Sequence, residues 1–353
     1  MARKARGDTI CPFEIQIVHV SNRCVRRAHL CGYDAETNTD FDYRRQWCRD
    51  RVEHLASCFS IDVVTFSIMN NHTHQVLRTR PDVVASFSDE EVVRRWLRIS
   101  AKLNEQGQPK EATQKRINKE LLNPERVAEL RKRLSDVSWW MRYFSQYISC
   151  RCNQEDGVTG HFWEERFWHE VLASESQLLA CMIYVDLNPV RAQMAATPEE
   201  SDYTGAKERI DDLRIAASLD TPGNLVLSIS GDIDETHQWE RLGADGSAFL
   251  SPIEIREKED PIGPDIEPGG KRASRKGVLG MSLTQYLKLL DFSGRILRGD
   301  KRGSIDSNLD PIMQRLPVSP KRLVRMISEV GKRLGHNFHK ATKIKTKIML
   351  GST

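Results

Sequence analysis

The stretch Ile61–Met69 places the strongest constraint on how this chain can fold. It is rich in β-branched and apolar residues, which predicts a buried strand. After Asn70-Asn71, which we interpret as a bulge or kink, the segment His72–Arg78 predicts a further strand. Alternate residues of a strand point to the same face of a sheet. We therefore expect the imidazoles of His72 and His74 to lie side by side.

Segments on both sides of these strands add a third strand and several helices. The pattern over Phe13–Val20 predicts a strand, and the apolar spacing within Asp42–Cys58 predicts a helix. Residues 88–135 are strongly charged and helical in pattern, with a break near Gly107, and Ser138–Cys150 predicts another helix. The chain thus combines strands with helices.

A helix that begins near Ser174 carries Tyr184. Ser174 and Gln177 have the spacing of a capping box, and we expect the helix to end around residue 188, just before Pro189. Asn188 follows Tyr184 by four residues, so the two side chains share one helical face. The alternatives are a half-buried core tyrosine and an asparagine that caps the helix.

His72 and His74 form a candidate metal site. Imidazole binds borderline divalent metals, and two histidine ligands leave coordination positions open, as catalysis requires. The alternative is that one or both histidines are structural or exposed. A metal held by this pair and a tyrosine nucleophile are the groups that an enzyme needs to cut and rejoin DNA through a protein–DNA phosphodiester.

Charge is distributed unevenly along the 353 residues. Residues 197–270 contain 6 basic and 18 acidic side chains, whereas residues 271–353 contain 19 basic and 5 acidic ones. Such a basic block favours a polyanion as partner, or docking of the basic block on the acidic one. Two solvated surfaces would give the same pattern.

No secretory or membrane signal is recognisable. The first residues are charged, no long apolar region follows them, and no stretch is long and uncharged enough to span a bilayer. The eight cysteines include no C-x-x-C pair, which excludes zinc-finger spacing and indicates free thiols in a reducing compartment. We therefore expect an intracellular, cytoplasmic protein that does not bind membranes.

Three segments resemble, in the same order, the motifs of one protein family. Met69–His74 is similar to M-P-N-H-x-H, Gly160–Phe167 to G-H-x-W-x-x-R-F, and Tyr184–Ala192 to Y-I-x-x-N-P-V-R-A. Val18–Arg23 resembles the family's first strand. These motifs are those of the REP-associated and insertion-sequence-type single-tyrosine transposases, members of the HUH endonuclease superfamily. The resemblance covers roughly residues 10–205.

The resemblance implies an α+β fold with a ferredoxin-like antiparallel sheet that carries the histidines and has helices packed on it. It also implies a DNA transposase that cleaves and rejoins single-stranded or hairpin DNA. The family's mechanism uses a divalent metal, Mg²⁺ or Mn²⁺, which His72 and His74 would hold with Asn188 as a third ligand. Tyr184 would be the nucleophile, and the products would be a 5′-phosphotyrosine and a free 3′-OH.

Two positions depart from the family's pattern. Thr73 replaces the usual hydrophobic residue between the histidines, and its side chain should point away from the metal. Asn70 stands where the family usually has proline, which affects the bulge before His72. Neither change removes a catalytic group. His19, on the neighbouring strand, is expected near the site.

The resemblance and the charge pattern divide the chain into three predicted parts. Residues 10–205 form the catalytic domain, with a charged helical insertion at about 86–135. Residues 206–276 form an acidic segment and linker, and residues 277–353 form a basic module with helices over Met281–Leu290 and Pro320–Leu334. This module is expected to bind DNA. The candidate DNA-binding residues are basic: Arg23, Arg26, Arg27, Lys271, Arg272, Arg275 and Lys276.

Several alternatives stay open at this point. The chain could be a regulator that kept the fold and binds nucleic acid without catalysis, or a nickase of the replication-initiator or relaxase type. A monomer and a homodimer are both compatible with the sequence, and binding to DNA would associate the protein with the nucleoid. Four tryptophans could stack on bases or belong to the core: Trp139, Trp140, Trp163 and Trp168.

Overall fold

The computed structural model describes residues 10–25, 30–35, 38–102, 109–219, 247–255, 263–266, 270–296 and 302–315. The chain forms two units. The first unit comprises Met1–Val171, Phe249–Ser251 and Arg256–Lys276, and the second comprises Leu172–Ala248, Pro252–Ile255 and Gly277–Thr353. Neither unit is continuous in sequence. The predicted boundaries at residues 205 and 276 stay predictions.

The described part of the first unit contains six strands and six helices. The strands are β1 (Ile17–Arg23), β2 (Tyr33–Asp34), β3 (Thr39–Asp40), β4 (Ile61–Ile68), β5 (His72–Thr79) and β6 (Trp168–Val171). The helices are α1 (Arg44–Cys58), α2 (Pro81–Ala85), α3 (Asp89–Ile99), α4 (Gln114–Leu121), α5 (Pro124–Arg133) and α6 (Val137–Glu155). The charged region predicted as helical thus forms the three separate helices α3, α4 and α5.

A four-stranded antiparallel sheet, in the order β4-β5-β1-β6, lies at the centre of the first unit. β1 leads through α1 to β4, β4 continues directly into β5, and α6 precedes β6. This order and connectivity are those of the ferredoxin-like β-α-β-β-α-β arrangement. The predicted fold class, an α+β protein with helices packed on an antiparallel sheet, is confirmed.

Helix α6 covers one face of this sheet, with α1 packed beside it. Trp140 on α6 is fully buried, and its Nε1 donates to Oε1 of Gln75 on β5 at 2.8 Å. Nδ2 of Asn22 on β1 donates to Oγ of Ser145 on α6 at 2.6 Å. Side chains alternate along each strand, so residues next to Gln75 and Asn22 in sequence point the other way. The histidines therefore lie on the face opposite α6.

A buried carboxylate anchors a distant segment to the sheet. Asp62 on β4 is fully buried, and its Oδ2 accepts from Nη2 of Arg78 at 2.8 Å. Ser274 donates to the same carboxylate from its backbone nitrogen at 2.9 Å and from Oγ at 2.8 Å, and Nη1 of Arg80 lies 3.3 Å away. A buried charge is tolerated when it is paired and hydrogen-bonded. The segment around Ser274, predicted as part of a linker, is packed on the sheet because its serine completes this network.

The described part of the second unit is helical. Its elements are α7 (Glu175–Asp186), α8 (Asn188–Arg191), a 3-10 turn (Pro198–Glu200), α9 (Gly205–Leu219), α10 (Leu283–Arg295) and α11 (Ile312–Arg315). Ser282 and Gln285 form a capping box at the start of α10, which confirms the helix predicted over Met281–Leu290. The helix predicted over Pro320–Leu334 lies outside the described residues. Among the described helices of the whole chain, none has the length and apolar character needed to cross a bilayer.

Candidate active site

The residues Asn70-Asn71, interpreted as a bulge or kink, form a tight hairpin turn. The backbone nitrogen of Met69 donates to the carbonyl of His72 at 2.9 Å, so Asn70 and Asn71 form the tip that joins β4 to β5. The side-chain oxygen of Asn70 accepts from Arg45 on α1, and its carbonyl accepts from the nitrogen of Cys31 at 2.8 Å. The amide at the position where the resembled family has proline thus links the turn to its surroundings.

His72 and His74 lie side by side on β5, as the strand period predicts. Their ring centroids are 4.9 Å apart and the ring planes are nearly perpendicular, at 86°. His72 is half-buried and His74 is buried. The intervening Thr73 points to the opposite face, is 1 % exposed, and its hydroxyl has no hydrogen-bond partner among the described residues. The departure at Thr73 therefore leaves the histidine face unchanged.

A third histidine contacts this pair. Nε2 of His19 on β1 lies 3.0 Å from Nδ1 of His74. Burial lowers the pKa of His19 to about 4, because desolvation disfavours the imidazolium. His19 is therefore neutral at pH 7, and the tautomers of the two rings decide which of the two nitrogens donates. The sequence placed His19 near the site, but the hydrogen bond itself depends on strand register, which a single sequence does not define.

The hydrogen bonds of the pair fit a metal-binding role. Nδ1 of His72 lies 2.6 Å from the side-chain oxygen of Asn71, and a carbonyl oxygen can only accept, so Nδ1 carries the proton and Nε2 the lone pair. If Nδ1 of His74 donates to His19, its Nε2 carries a lone pair as well. Metal-binding histidines characteristically donate their second nitrogen in this way. In the described part of the chain, no group of three or more His, Cys, Asp or Glu side chains could hold a metal.

Trp168 on the edge strand β6 lies beside the histidines. Its ring stands edge-on to that of His19, with the centroids 5.2 Å apart, and 39 % of the residue is exposed. The other candidates for base stacking differ from it: Trp140 is fully buried, and Nε1 of Trp163 donates to a carbonyl of α6. Trp139 packs against the guanidinium groups of Arg133 and Arg142. Of these four tryptophans, Trp168 combines exposure with proximity to the histidines.

Tyr184 lies on α7 in the second unit, two residues before the helix ends. The helix begins as predicted, since Oγ of Ser174 accepts from the nitrogen of Gln177 at 3.3 Å. The side chain of Gln177 reaches back to the nitrogen of Ala173 at 2.7 Å rather than to that of Ser174. Tyr184 is 40 % exposed, so its side chain is not enclosed in the core, and its role as nucleophile stays a prediction.

Asn188 is the first residue of the short helix α8, because the longer helix stops at Asp186. It is 8 % exposed, and its Nδ2 is buried without a hydrogen-bond partner among the described residues. Together with Tyr184 it lines an open cleft of about 240 Å³. The rest of the lining is mainly aliphatic, with Arg191 and Ser293 as polar members: Ala180, Ile183, Leu187, Arg191, Ser293 and Ile296. The structure thus brings Tyr184 and Asn188 together within this unit.

The predicted DNA-binding residues have varied surroundings. Arg23 is half-exposed, and its Nε lies 3.9 Å from a carboxylate oxygen of Glu164. Nη1 of Arg272 donates to the carbonyl of Leu250 at 2.8 Å, and Arg275 pairs with Asp265 at 2.8 Å. Lys271 and Lys276 are half-buried, and Arg26 and Arg27 lie outside the described residues. Their role in binding DNA stays a prediction.

Sequence reasoning missed three buried polar residues of the second unit: Asp186, Arg191 and Tyr286. Asp186 interrupts the buried stripe of α7, and a buried carboxylate signals a partner. That partner, Tyr286, is 100 residues away, so no local pattern could identify it.

Comparison with known proteins gives one weak structural similarity. No protein-family model and no curated protein sequence matches the chain. A solved structure described as a REP-associated tyrosine transposase bound to a REP hairpin is similar over 62 % of this chain and 87 % of that chain, with 11 % identity and a TM-score of 0.33.

Proposed function

We propose that this protein is a metal-dependent endonuclease and strand transferase of the transposase type, acting on single-stranded or hairpin DNA. The observation that carries the proposal is the arrangement of His72 and His74, whose second ring nitrogens are both engaged in hydrogen bonds that suit a metal ligand. The half-exposed Tyr184 on its capped helix supplies the nucleophile, and the motif resemblance supports the assignment.

In the proposed reaction, Oη of Tyr184 loses its proton to solvent and forms a bond to a backbone phosphorus. The bond between that phosphorus and the 3′-oxygen breaks, and the leaving oxygen takes up a proton as a 3′-OH. The downstream strand stays attached to Tyr184 as a 5′-phosphotyrosine. Attack by another 3′-OH reverses the step, so the phosphodiester is conserved without a nucleotide cofactor.

His72 and His74 would hold the divalent cation, Mg²⁺ or Mn²⁺, with Asn188 proposed as a third ligand. When bound, such a cation polarises a phosphate oxygen and stabilises the negative charge of the transition state. His19 and Asn71 would orient the two imidazoles. Trp168 offers a face on which an unpaired base can stack, and Arg23 a charge for a phosphate. A homodimer stays a possible assembly.

The test is to incubate the protein with a 3′-labelled single-stranded hairpin and Mn²⁺ and to look for a labelled band that survives denaturing electrophoresis. We expect the wild type to form this adduct and Tyr184→Phe to lose it completely. Tyr33→Phe, which removes another exposed phenol, is the matched control and should keep the adduct. A Tyr184→Phe protein that still forms the adduct would identify another nucleophile. Hairpin binding without any adduct would favour a regulator that lacks catalysis.

A further inference from the structure

We propose that the described residues 280–296, together with Gly303, position the tyrosine helix α7 for reaction, with Tyr286 as the main positioning residue. This inference rests on the proposed function, because the reaction concerned is attack by Tyr184. It changes the role predicted for this part of the chain, which the sequence suggested only as a basic module for binding DNA.

The first contact is at the start of α7. Glu175 occupies the first turn of the helix, and its Oε1 accepts from the backbone nitrogen of Gly280 at 2.7 Å. The acceptor and the donor are 105 residues apart in sequence. The beginning of the tyrosine helix is therefore attached to the residues that lead into α10.

The second contact is at the end of α7. Asp186 is fully buried, and its Oδ2 accepts from the phenol of Tyr286 on α10, which is also fully buried. Oδ1 of Asp186 accepts from the backbone nitrogen of Ala206 at 3.2 Å. Burial and the neighbouring carboxylate raise the pKa of Tyr286 well above its usual value, so the phenol keeps its proton and donates it. Asp186 is two residues from Tyr184, so this bond acts very near the nucleophile.

The third contact follows directly in α8. Nη1 of Arg191 donates to the carbonyls of Ile296 at 2.9 Å and Gly303 at 3.2 Å, and its Nη2 donates to that of Ser293 at 2.7 Å. The approach at Gly303 is so close that a Cβ there would lie 2.0 Å from the carbonyl oxygen of Val190. The guanidinium thus binds the carbonyls at the end of α10, where helices favour a positive charge.

These contacts hold α7 from both sides of Tyr184. A nucleophile must be placed to within a fraction of an ångström, since a displacement of about 1 Å can cost roughly a hundred-fold in rate. Tyr184 is part of α7, so a shift of this helix also moves its phenol. Loss of the bond between Tyr286 and Asp186 would leave a buried carboxylate with less support and allow the end of α7 to shift.

The experiment compares the single-turnover rate of adduct formation at saturating hairpin DNA in the full-length wild type, Tyr286→Phe and the double variant Tyr286→Phe/Asp186→Asn. We expect Tyr286→Phe to lower the rate about ten- to a hundred-fold with an unchanged Kd for the hairpin. The double variant should recover most of the rate, because a neutral amide at 186 needs no proton donor from Tyr286. Asp212→Ala is the stability control, since Asp212 lies on α9 and the substitution removes a hydrogen bond to Ser247 in the same unit.

Glu175 provides a second route if Tyr286→Phe does not fold. Glu175→Ala should lower the rate, and Glu175→Gln, which keeps an acceptor for Gly280, should restore it. Rates within two-fold of the wild type in Tyr286→Phe and Glu175→Ala would overturn the inference while leaving the proposed function intact. The inference would also be overturned if Asp212→Ala lowered the rate as much as Tyr286→Phe does while the two variants were equally stable. A wild-type protein that forms no adduct would overturn the proposed function and this inference with it.

Discussion

The histidine pair and the tyrosine helix are held by contacts of very different range in sequence. His72 and His74 belong to one hairpin, and Asn71, which orients His72, is the next residue along the chain. The tyrosine helix is held instead by Gly280 and Tyr286, about a hundred residues later. A site whose residues are neighbours in sequence can be recognised from a short motif. The geometry of a site held by contacts with residues distant in sequence depends on the fold of the whole chain. Four measurements would test this contrast.

The first prediction concerns an exception within the first unit, the long-range contact of Asp62 with Ser274. Asp62→Ala should lower the free energy of unfolding by about 3–5 kcal/mol, because Arg78 and Arg80 then stay buried without this carboxylate. Chemical denaturation measures the change. Asp82→Ala, which removes a partly exposed partner of Arg80, is the control and should cost much less. Equal losses in the two variants would mean that the buried network does not support the sheet.

The second prediction concerns the stability of the folded protein at low pH. Burial lowers the pKa of His19 and of His54 to about 4, from 6.5 in the unfolded chain. Between these two pH values the unfolded state binds protons that the folded state does not. The contribution of the two histidines to the free energy of unfolding is therefore fully present above about pH 6.5 and is lost as the pH falls towards 4. Each histidine can account for up to about 3 kcal/mol, at about 1.4 kcal/mol per pKa unit.

Acid should therefore unfold the first unit before the second, whose described residues include no histidine. Six of the seven tryptophans lie between residues 47 and 168, so their fluorescence, measured in a metal-free buffer, reports mainly on the first unit. His54→Gln should flatten this pH dependence, and His19→Gln should do the same. A pH profile that neither substitution changes would contradict the role assigned to their burial.

The third prediction concerns the partner of His74. His19→Leu should weaken Mn²⁺ binding about ten- to a hundred-fold, because His74 loses the group that orients its ring. His19→Gln keeps a hydrogen-bonding group and should lose less. Isothermal titration calorimetry measures the affinity, and Tyr286→Phe is the control from the other unit. If Tyr286→Phe weakened metal binding as much as His19→Leu, the histidines and the tyrosine helix would not be supported independently.

The smallest effect is expected at Arg275, next to the buried Ser274. The side chain of Arg275 is 54 % exposed and pairs with Asp265. Arg275→Ala should therefore change the free energy of unfolding by less than about 1 kcal/mol. If Arg275 binds a phosphate, the slope of log K against log salt should fall in magnitude by about 1. Lys115→Ala removes an exposed charge on α4 and serves as the control. The same slope in both variants would exclude a specific phosphate contact by Arg275.

The range of these contacts also explains how much the sequence could predict. The strands that carry His72 and His74, the cap at Ser174 and the start of α10 depend on local propensities and spacings, and each is confirmed. The interpretation of Asn70-Asn71 as a bulge or kink misses the hairpin turn, because the turn is defined by the pairing of β4 with β5. The placement of Ser274 against Asp62 could not be predicted, because 212 residues separate them and Pro, Gly and charged residues around Ser274 resemble a linker.

The distance in sequence between Glu175 and Gly280 also affects how the protein is made. Ribosomes add about 5–20 residues per second, so Glu175 is synthesised roughly 5–20 s before its partner Gly280, although Ala206, which contacts the end of the helix, is made much earlier. During that interval the nascent chain already carries the histidine hairpin and Tyr184 but lacks Gly280 and Tyr286. A polypeptide released early, by a nonsense codon or by proteolysis before residue 280, would lack them permanently. The proposed activity would then be restricted to chains whose synthesis has passed this point.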